Sequence, residues 1–112
     1  MEINNYTKVA VQAEIPVGKI KAVKAGDKEI LIANVEGKYY AIENKCDHAG
    51  GDLSKGTLVG TIITCPLHKA QYDVTTGKVV TPPTVMRIMH PPINPLISYP
   101  VKIELESILV RI

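Results

Sequence analysis

Both thiols of this 112-residue chain, and two of its three imidazoles, crowd into one short stretch: Cys46, His48, Cys65 and His68 fall within 23 residues, with His90 alone outside it. Four soft or borderline ligands this close together point to one metal site that uses every cysteine available. The order is Cys46-Asp47-His48, sixteen residues, then Cys65-Pro66-Leu67-His68. A zinc finger instead runs Cys, Cys, His, His, with at least two residues between the members of a pair. Two loops that each offer a thiolate and an imidazole suit a binuclear centre, with both cysteines on one metal and both histidines on the other. A mononuclear zinc site is a second reading, because two Cys and two His form a legitimate zinc set. A disulfide between Cys46 and Cys65 is a third, but it leaves the histidine spacing without a purpose. On the favoured reading, the fold must present two loops side by side.

The rest of the chain supplies a β scaffold. Ile (14) and Val (12) far outnumber Ala (8) and Leu (7), and β-branched side chains pack better on pleated sheets than on helices. The pattern predicts strands over 7–13, 20–23, 29–35, 39–43, 61–64, 71–74, 78–80, 97–105 and 108–112. Ala25-Gly26-Asp27-Lys28, Val35-Glu36-Gly37-Lys38 and Thr75-Thr76-Gly77-Lys78 each put a glycine where a tight turn calls for positive φ. No stretch holds a helical period beyond two turns. The expected class is all-β, an antiparallel sandwich or barrel. Two segments break the pattern. Residues 45–60 are polar and carry Gly50, Gly51, Gly56 and Gly60, which reads as a long functional loop. Six of the eight prolines fall between Pro82 and Pro100, so that segment should run as an irregular, stiff cover.

Size and charge narrow the function. At 12.2 kDa the chain is expected to form one domain over residues 1–112, burying roughly two thirds of its unfolded surface. Thirteen Lys+Arg against eleven Asp+Glu give a net charge of +2 with no basic stripe, which argues against nucleic acid. Mean hydropathy is +0.09, and no apolar run reaches the ~18 residues of a membrane span. Met1-Glu2-Ile3-Asn4-Asn5 lacks the features of a signal peptide, so a soluble, cytoplasmic monomer is expected.

At its ligand residues the sequence resembles the Rieske family, and within it the soluble Rieske-type [2Fe-2S] ferredoxins. The likeness continues through Ala49-Gly50-Gly51-Asp52-Leu53-Ser54-Lys55-Gly56 after the first pair. After the second it runs through Tyr72-Asp73-Val74-Thr75-Thr76-Gly77 and Pro82-Pro83, and then Pro95-Leu96 and Tyr99-Pro100-Val101. The resemblance implies a Rieske-like antiparallel β-sandwich with a cluster-binding subdomain of two loops, about 45–56 and 65–70, and a proline loop over about 82–95. It implies one [2Fe-2S] cluster per chain, with Cys46 and Cys65 on the inner iron and His48 and His68 on the outer. Neutral imidazoles in place of two thiolates make reduction easier, and Rieske potentials run from roughly −150 to +300 mV.

The residues expected around the ligands narrow that range. By the same resemblance, Gly51 and Leu67 stand where high-potential members carry a disulfide, and Ala70 where they carry a serine bonded to a cluster sulfide. Tyr72 stands where a tyrosine donates to a cysteine sulfur, although a plain core aromatic is the competing reading. Fewer hydrogen bonds to sulfur leave the reduced state less stabilised, so a low or intermediate potential is expected. Two features depart from the family pattern. Lys69 replaces the glycine that usually follows the second histidine, and the 84–94 segment is long. That segment carries Met86, Ile88 and Met89, an apolar apron where a redox partner could dock, and His90, which is given no role.

The implied function is one-electron transfer, not catalysis, between a reductase and a terminal oxygenase or other acceptor. The alternatives are a fixed Rieske-like small subunit of a larger redox enzyme such as nitrite reductase, and a zinc-stabilised interaction module.

Overall fold

Ile30-Leu31-Ile32-Ala33 is a run in which every side chain is fully buried. Strand side chains alternate between the two faces of a sheet, so such a run requires both faces to be covered. The computed structural model describes residues 6–45, 52–66, 69–81, 84–85, 88–89 and 95–112. In chain order its strands are β1 (Tyr6–Val11), β2 (Ile20–Ala25), β3 (Lys28–Val35), β4 (Lys38–Glu43), β5 (Thr57–Val59), β6 (Ile62–Thr64), β7 (Gln71–Asp73), β8 (Val79–Thr81), β9 (Thr84–Val85), β10 (Ile88–Met89), β11 (Ser98–Tyr99), β12 (Val101–Glu104) and β13 (Ser107–Arg111). Short 3-10 helices span η1 (Gln12–Glu14) and η2 (Leu53–Lys55). All pairings among the described residues are antiparallel, as the expected all-β class requires.

The central sheet has the order β11-β4-β3-β2. On one face Ile30, Ile32, Tyr39 and Ala41 pack with Ala10, Ile108 and Val110 of the β1-β13-β12 sheet. On the other, Leu31, Ala33 and Ile42 pack with Leu53, Ile63, Cys65, Ala70, Tyr72, Val74 and Leu96. Ile63 and Tyr72 belong to the third sheet, β5-β6-β7-β8. Each fully buried Ile or Leu contributes about 1.5–3 kcal/mol of transfer free energy, so the central sheet fastens both outer ones.

Buried Asn34 fixes one corner. Its Nδ2 donates to the Ile15 carbonyl at 2.8 Å and to the Tyr39 hydroxyl at 3.1 Å, while its Oδ1 accepts the Gly37 N–H at 2.8 Å. The Tyr39 hydroxyl in turn donates to the Ile15 carbonyl at 3.0 Å. A buried amide is tolerated when it is bonded in this way.

Four expectations need correction. The strand foreseen over 7–13 ends at Val11, because η1 turns the chain, with Ile15 N–H closing onto the Gln12 carbonyl. The strand foreseen over 97–105 is two strands in different sheets: Tyr99 pairs with Ala41 of β4, and Val101 with Val110 of β13. Pro100, which has no N–H to give a ladder, stands at the switch. The 45–60 loop contains η2 and β5, the latter pairing Thr57 with Thr64. The proline segment contains β9 and β10, paired Val85 to Ile88, because the residues between its prolines keep their donors.

Candidate metal centre

Three segments carry the residues singled out from the sequence, and each is closed by hydrogen bonds among the described residues. The shortest is the hairpin from β6 to β7. Cys65 N–H donates to the Ala70 carbonyl at 2.7 Å, extending the ladder beyond Thr64 and Gln71 and closing a six-residue loop. Cys65, Ala70 and Tyr72 are all fully buried in one cluster. Lys69 turns this loop with φ +63°, the left-handed region that costs an L side chain about 1–2 kcal/mol. That conformation favours glycine, the residue the sequence resemblance leads one to expect there.

The second segment leaves β4 after Glu43 and returns at Asp52. Asn44, only 1% exposed, spans the gap: its Nδ2 donates to Asp52 Oδ1 at 2.8 Å, and its Oδ1 accepts the Ser54 N–H at 2.9 Å. Asp52 Oδ1 also accepts the Ser54 hydroxyl at 2.6 Å and the Ser54 N–H at 3.0 Å. The Ser54 hydroxyl above all, with the Asn44 amide and the Ser54 N–H, holds the Asp52 carboxyl below its usual value, against the opposing effect of burial. Leu53 is fully buried in the cluster that contains Cys65. A Cβ on Gly56 would stand 2.0 Å from the Thr64 carbonyl oxygen, so glycine is what lets this segment close onto the strand leading into Cys65.

The third segment begins after the β7–β8 turn. Asp73 Oδ1 accepts the Thr75 N–H at 2.9 Å and the Thr75 hydroxyl at 2.7 Å, and Gly77 N–H donates to the Asp73 carbonyl at 2.7 Å. The segment is closed where Leu96 N–H donates to the Gly77 carbonyl at 2.8 Å. Ile97 N–H donates to Glu43 Oε1 at 2.8 Å, and Glu43 N–H to the Ile97 carbonyl at 3.0 Å. The return of the third segment is therefore tied to the residue before Asn44. Nearby, burial and then the Glu43 charge push the Tyr99 hydroxyl upward.

Of the residues singled out from the sequence, Cys65, Lys69, Ala70 and Tyr72 are placed together in the β6–β7 hairpin and its strand. Cys46, His48, His68, Gly51, Leu67, Pro82 and Pro83 lie outside the described residues, as do Met86 and His90. The sequence reading treated Asp52 and Ser54 as loop residues and assigned nothing to Asn44. The available signal was an Asn at the end of an apolar strand followed, past the loop, by an Asp-x-Ser pattern that folds onto its own backbone.

The Rieske [2Fe-2S] domain model matches residues 5–100. The chain belongs to the Rieske [2Fe-2S] family. This Rieske chain is 37% identical over 107 residues to the ferredoxin component of the naphthalene 1,2-dioxygenase/salicylate 5-hydroxylase systems of Ralstonia sp., covering 96% of this chain and 95% of that one. The ferredoxin of carbazole 1,9a-dioxygenase from Nocardioides aromaticivorans IC177 matches with TM-score 0.81 and 28% identity, over 96% of this chain and 97% of the other. A chain in a complex of reduced oxygenase and oxidized ferredoxin in carbazole 1,9a-dioxygenase matches with TM-score 0.82 and 27% identity, over 97% of this chain and 94% of the other.

The cofactor of this Rieske protein is a [2Fe-2S] cluster. Its donor chemistry fits: two thiols and two imidazoles suit the mixed His/Cys coordination of such a cluster. Cys65 lies at a fully buried position, where a thiolate is tolerable when a metal takes its charge.

Proposed function

We propose that this protein is a one-electron carrier that takes electrons from a reductase and delivers them to a terminal oxygenase. Cys46 and Cys65 hold one iron of the cluster, and His48 and His68 hold the other. When bound, the cluster accepts and releases a single electron. The chain's own part is to keep Cys65 away from water in a rigid hairpin and to bring the first loop beside it. The protein works in the cytoplasm as a single domain, at a low or intermediate potential, with Tyr72 donating to a cysteine sulfur.

The observation that supports this reading most strongly is the near end-to-end likeness to a dioxygenase ferredoxin component, 96% of this chain against 95% of the relative. In carbazole 1,9a-dioxygenase the corresponding fold is found in complex with the oxygenase, the acceptor class proposed here. No helix among the described residues is long and apolar enough to cross a membrane.

The test is spectroscopic. Protein purified without oxygen and reduced with dithionite should show a rhombic EPR signal, and replacing Cys46, His48, Cys65 or His68 singly by Ala should abolish it. The reduced protein should also reoxidise when mixed with a ring-hydroxylating oxygenase. Zinc as the sole metal in native protein would overturn the proposal.

A further inference from the structure

Asn44 and Asn34 are the two buried polar side chains among the described residues. Asn34 secures a corner remote in sequence from any ligand, whereas Asn44 precedes Cys46 by two residues. Both ends of its amide are bonded. Nδ2 reaches Asp52 and Oδ1 reaches Ser54, while its backbone N–H donates to the Glu29 carbonyl at 3.1 Å. The network therefore joins residue 44 to residues 52 and 54 across the seven residues that include Cys46 and His48. It is anchored below by Leu53, buried with Cys65, and by β3 through Glu29.

We propose that Asn44, Asp52 and Ser54 are positioning residues for the cluster, clamping both ends of the 45–51 loop so that its two ligands are presented to the Cys65 hairpin already in place. The proposal rests on Cys46 and His48 being ligands. A loop with fixed ends loses less conformational entropy when it binds iron, and hydrogen bonds that orient ligands affect both metal retention and electronic structure. The charge-assisted bonds to Asp52 are the stronger members of the set. None of the three residues needs to touch iron.

The experiment measures iron release from holoprotein to a ferrous chelator after reduction, together with the EPR g-values and the midpoint potential. Asn44→Ala should release iron about tenfold faster than wild type, the effect expected when a bond to a charged group is lost at a buried site, with shifted g-values. Asp52→Ala, at a position outside the buried core, should release iron several-fold faster, and it carries the test if Asn44→Ala does not load. Asp52→Asn keeps an oxygen acceptor for Asn44 and Ser54 and should restore slow release. A generally weakened fold would not be rescued in that way. Wild-type release and g-values in both alanine variants would overturn the proposal, as would release in Asp52→Asn as fast as in Asp52→Ala. Cys46→Ala is run alongside: a retained cluster there defeats the ligand reading itself, whereas a lost cluster there with unchanged Asn44→Ala and Asp52→Ala defeats only the clamp.

Discussion

Gly77 and Leu96 meet backbone to backbone. A Cβ on Gly77 would stand 2.1 Å from the Leu96 carbonyl oxygen, and the Leu96 N–H already donates to the Gly77 carbonyl at 2.8 Å. This contact closes the proline segment at its base, just before Ile97 is bound by Glu43.

Gly77→Ala therefore suffers twice: a side chain at φ +83° and a collision with main chain that has no rotamer to escape through. The expected loss is about 2–4 kcal/mol, a fall in Tm of roughly 8 °C or more for a domain of this size. Calorimetry of the holoprotein checks it, and an unchanged Tm would mean that the two segments can separate without cost.

Gly56→Ala isolates the steric part. Gly56 has φ −88°, which any residue adopts, yet its Cβ would meet the Thr64 carbonyl oxygen at 2.0 Å. The substitution should push β5 from β6 beside Cys65, costing about 1–3 kcal/mol and accelerating cluster loss. The ratio of 2Fe-2S absorbance to protein after purification gives the readout. Full occupancy with a wild-type Tm would refute it.

Lys69 offers the opposite case, a residue whose replacement stabilises. At φ +63° the change Lys69→Gly should gain about 0.5–1 kcal/mol after the added freedom of the unfolded chain is subtracted. Lys69→Val, β-branched in the same conformation, should lose about 1–2 kcal/mol. Urea unfolding of the pair decides the point, and the order reversed would show that the turn relaxes.

The hairpins β2–β3, β3–β4 and β7–β8 were legible in the sequence because apolar strands alternate there with glycine turns whose φ is indeed positive at Gly26, Gly37 and Gly77. Strand β5 was not: three residues between Gly56 and Gly60 carry too little pattern, and their strand identity comes from pairing with β6. The sheet change at Pro100 was also hidden, since a lost donor does not reveal which partner follows. At the site, cysteine and histidine spacing marks the proposed ligands, and Lys69 stood out against the glycine that the resemblance led one to expect. The clamp at Asn44 was silent because its partners, Asp52 and Ser54, become neighbours only through the loop they close.

Acid should test that closure. The Asp52 carboxyl is held low, chiefly by the Ser54 hydroxyl, so folding favours its charged form. That contribution is present above the ordinary Asp value of about 3.9 and is lost as pH falls through the lower value of the folded state. Glu14 of η1, held low by the Val11 N–H and then by Lys21, titrates in the same sense. Asp52→Asn should flatten, without abolishing, the decline in thermal midpoint below about pH 4. A decline identical to wild type would show that Asp52 gains nothing from its partners.

Ala70 provides a means of raising the potential. It is fully buried in the cluster of side chains that includes Cys65, and its carbonyl accepts the Cys65 N–H at 2.7 Å. A hydroxyl introduced by Ala70→Ser is shielded from water, and Cys65 in the same buried cluster offers it a sulfur acceptor. A bond to sulfur strengthens as the cluster gains negative charge on reduction. About 1 kcal/mol of extra stabilisation of the reduced form corresponds to a rise on the order of 40 mV for one electron. Protein-film voltammetry of the loaded variant measures this directly. A rise of that order would identify residue 70 as a point at which the potential of this chain is set, whereas an unchanged or lowered potential would show that the side chain at residue 70 does not reach a sulfur of the cluster site.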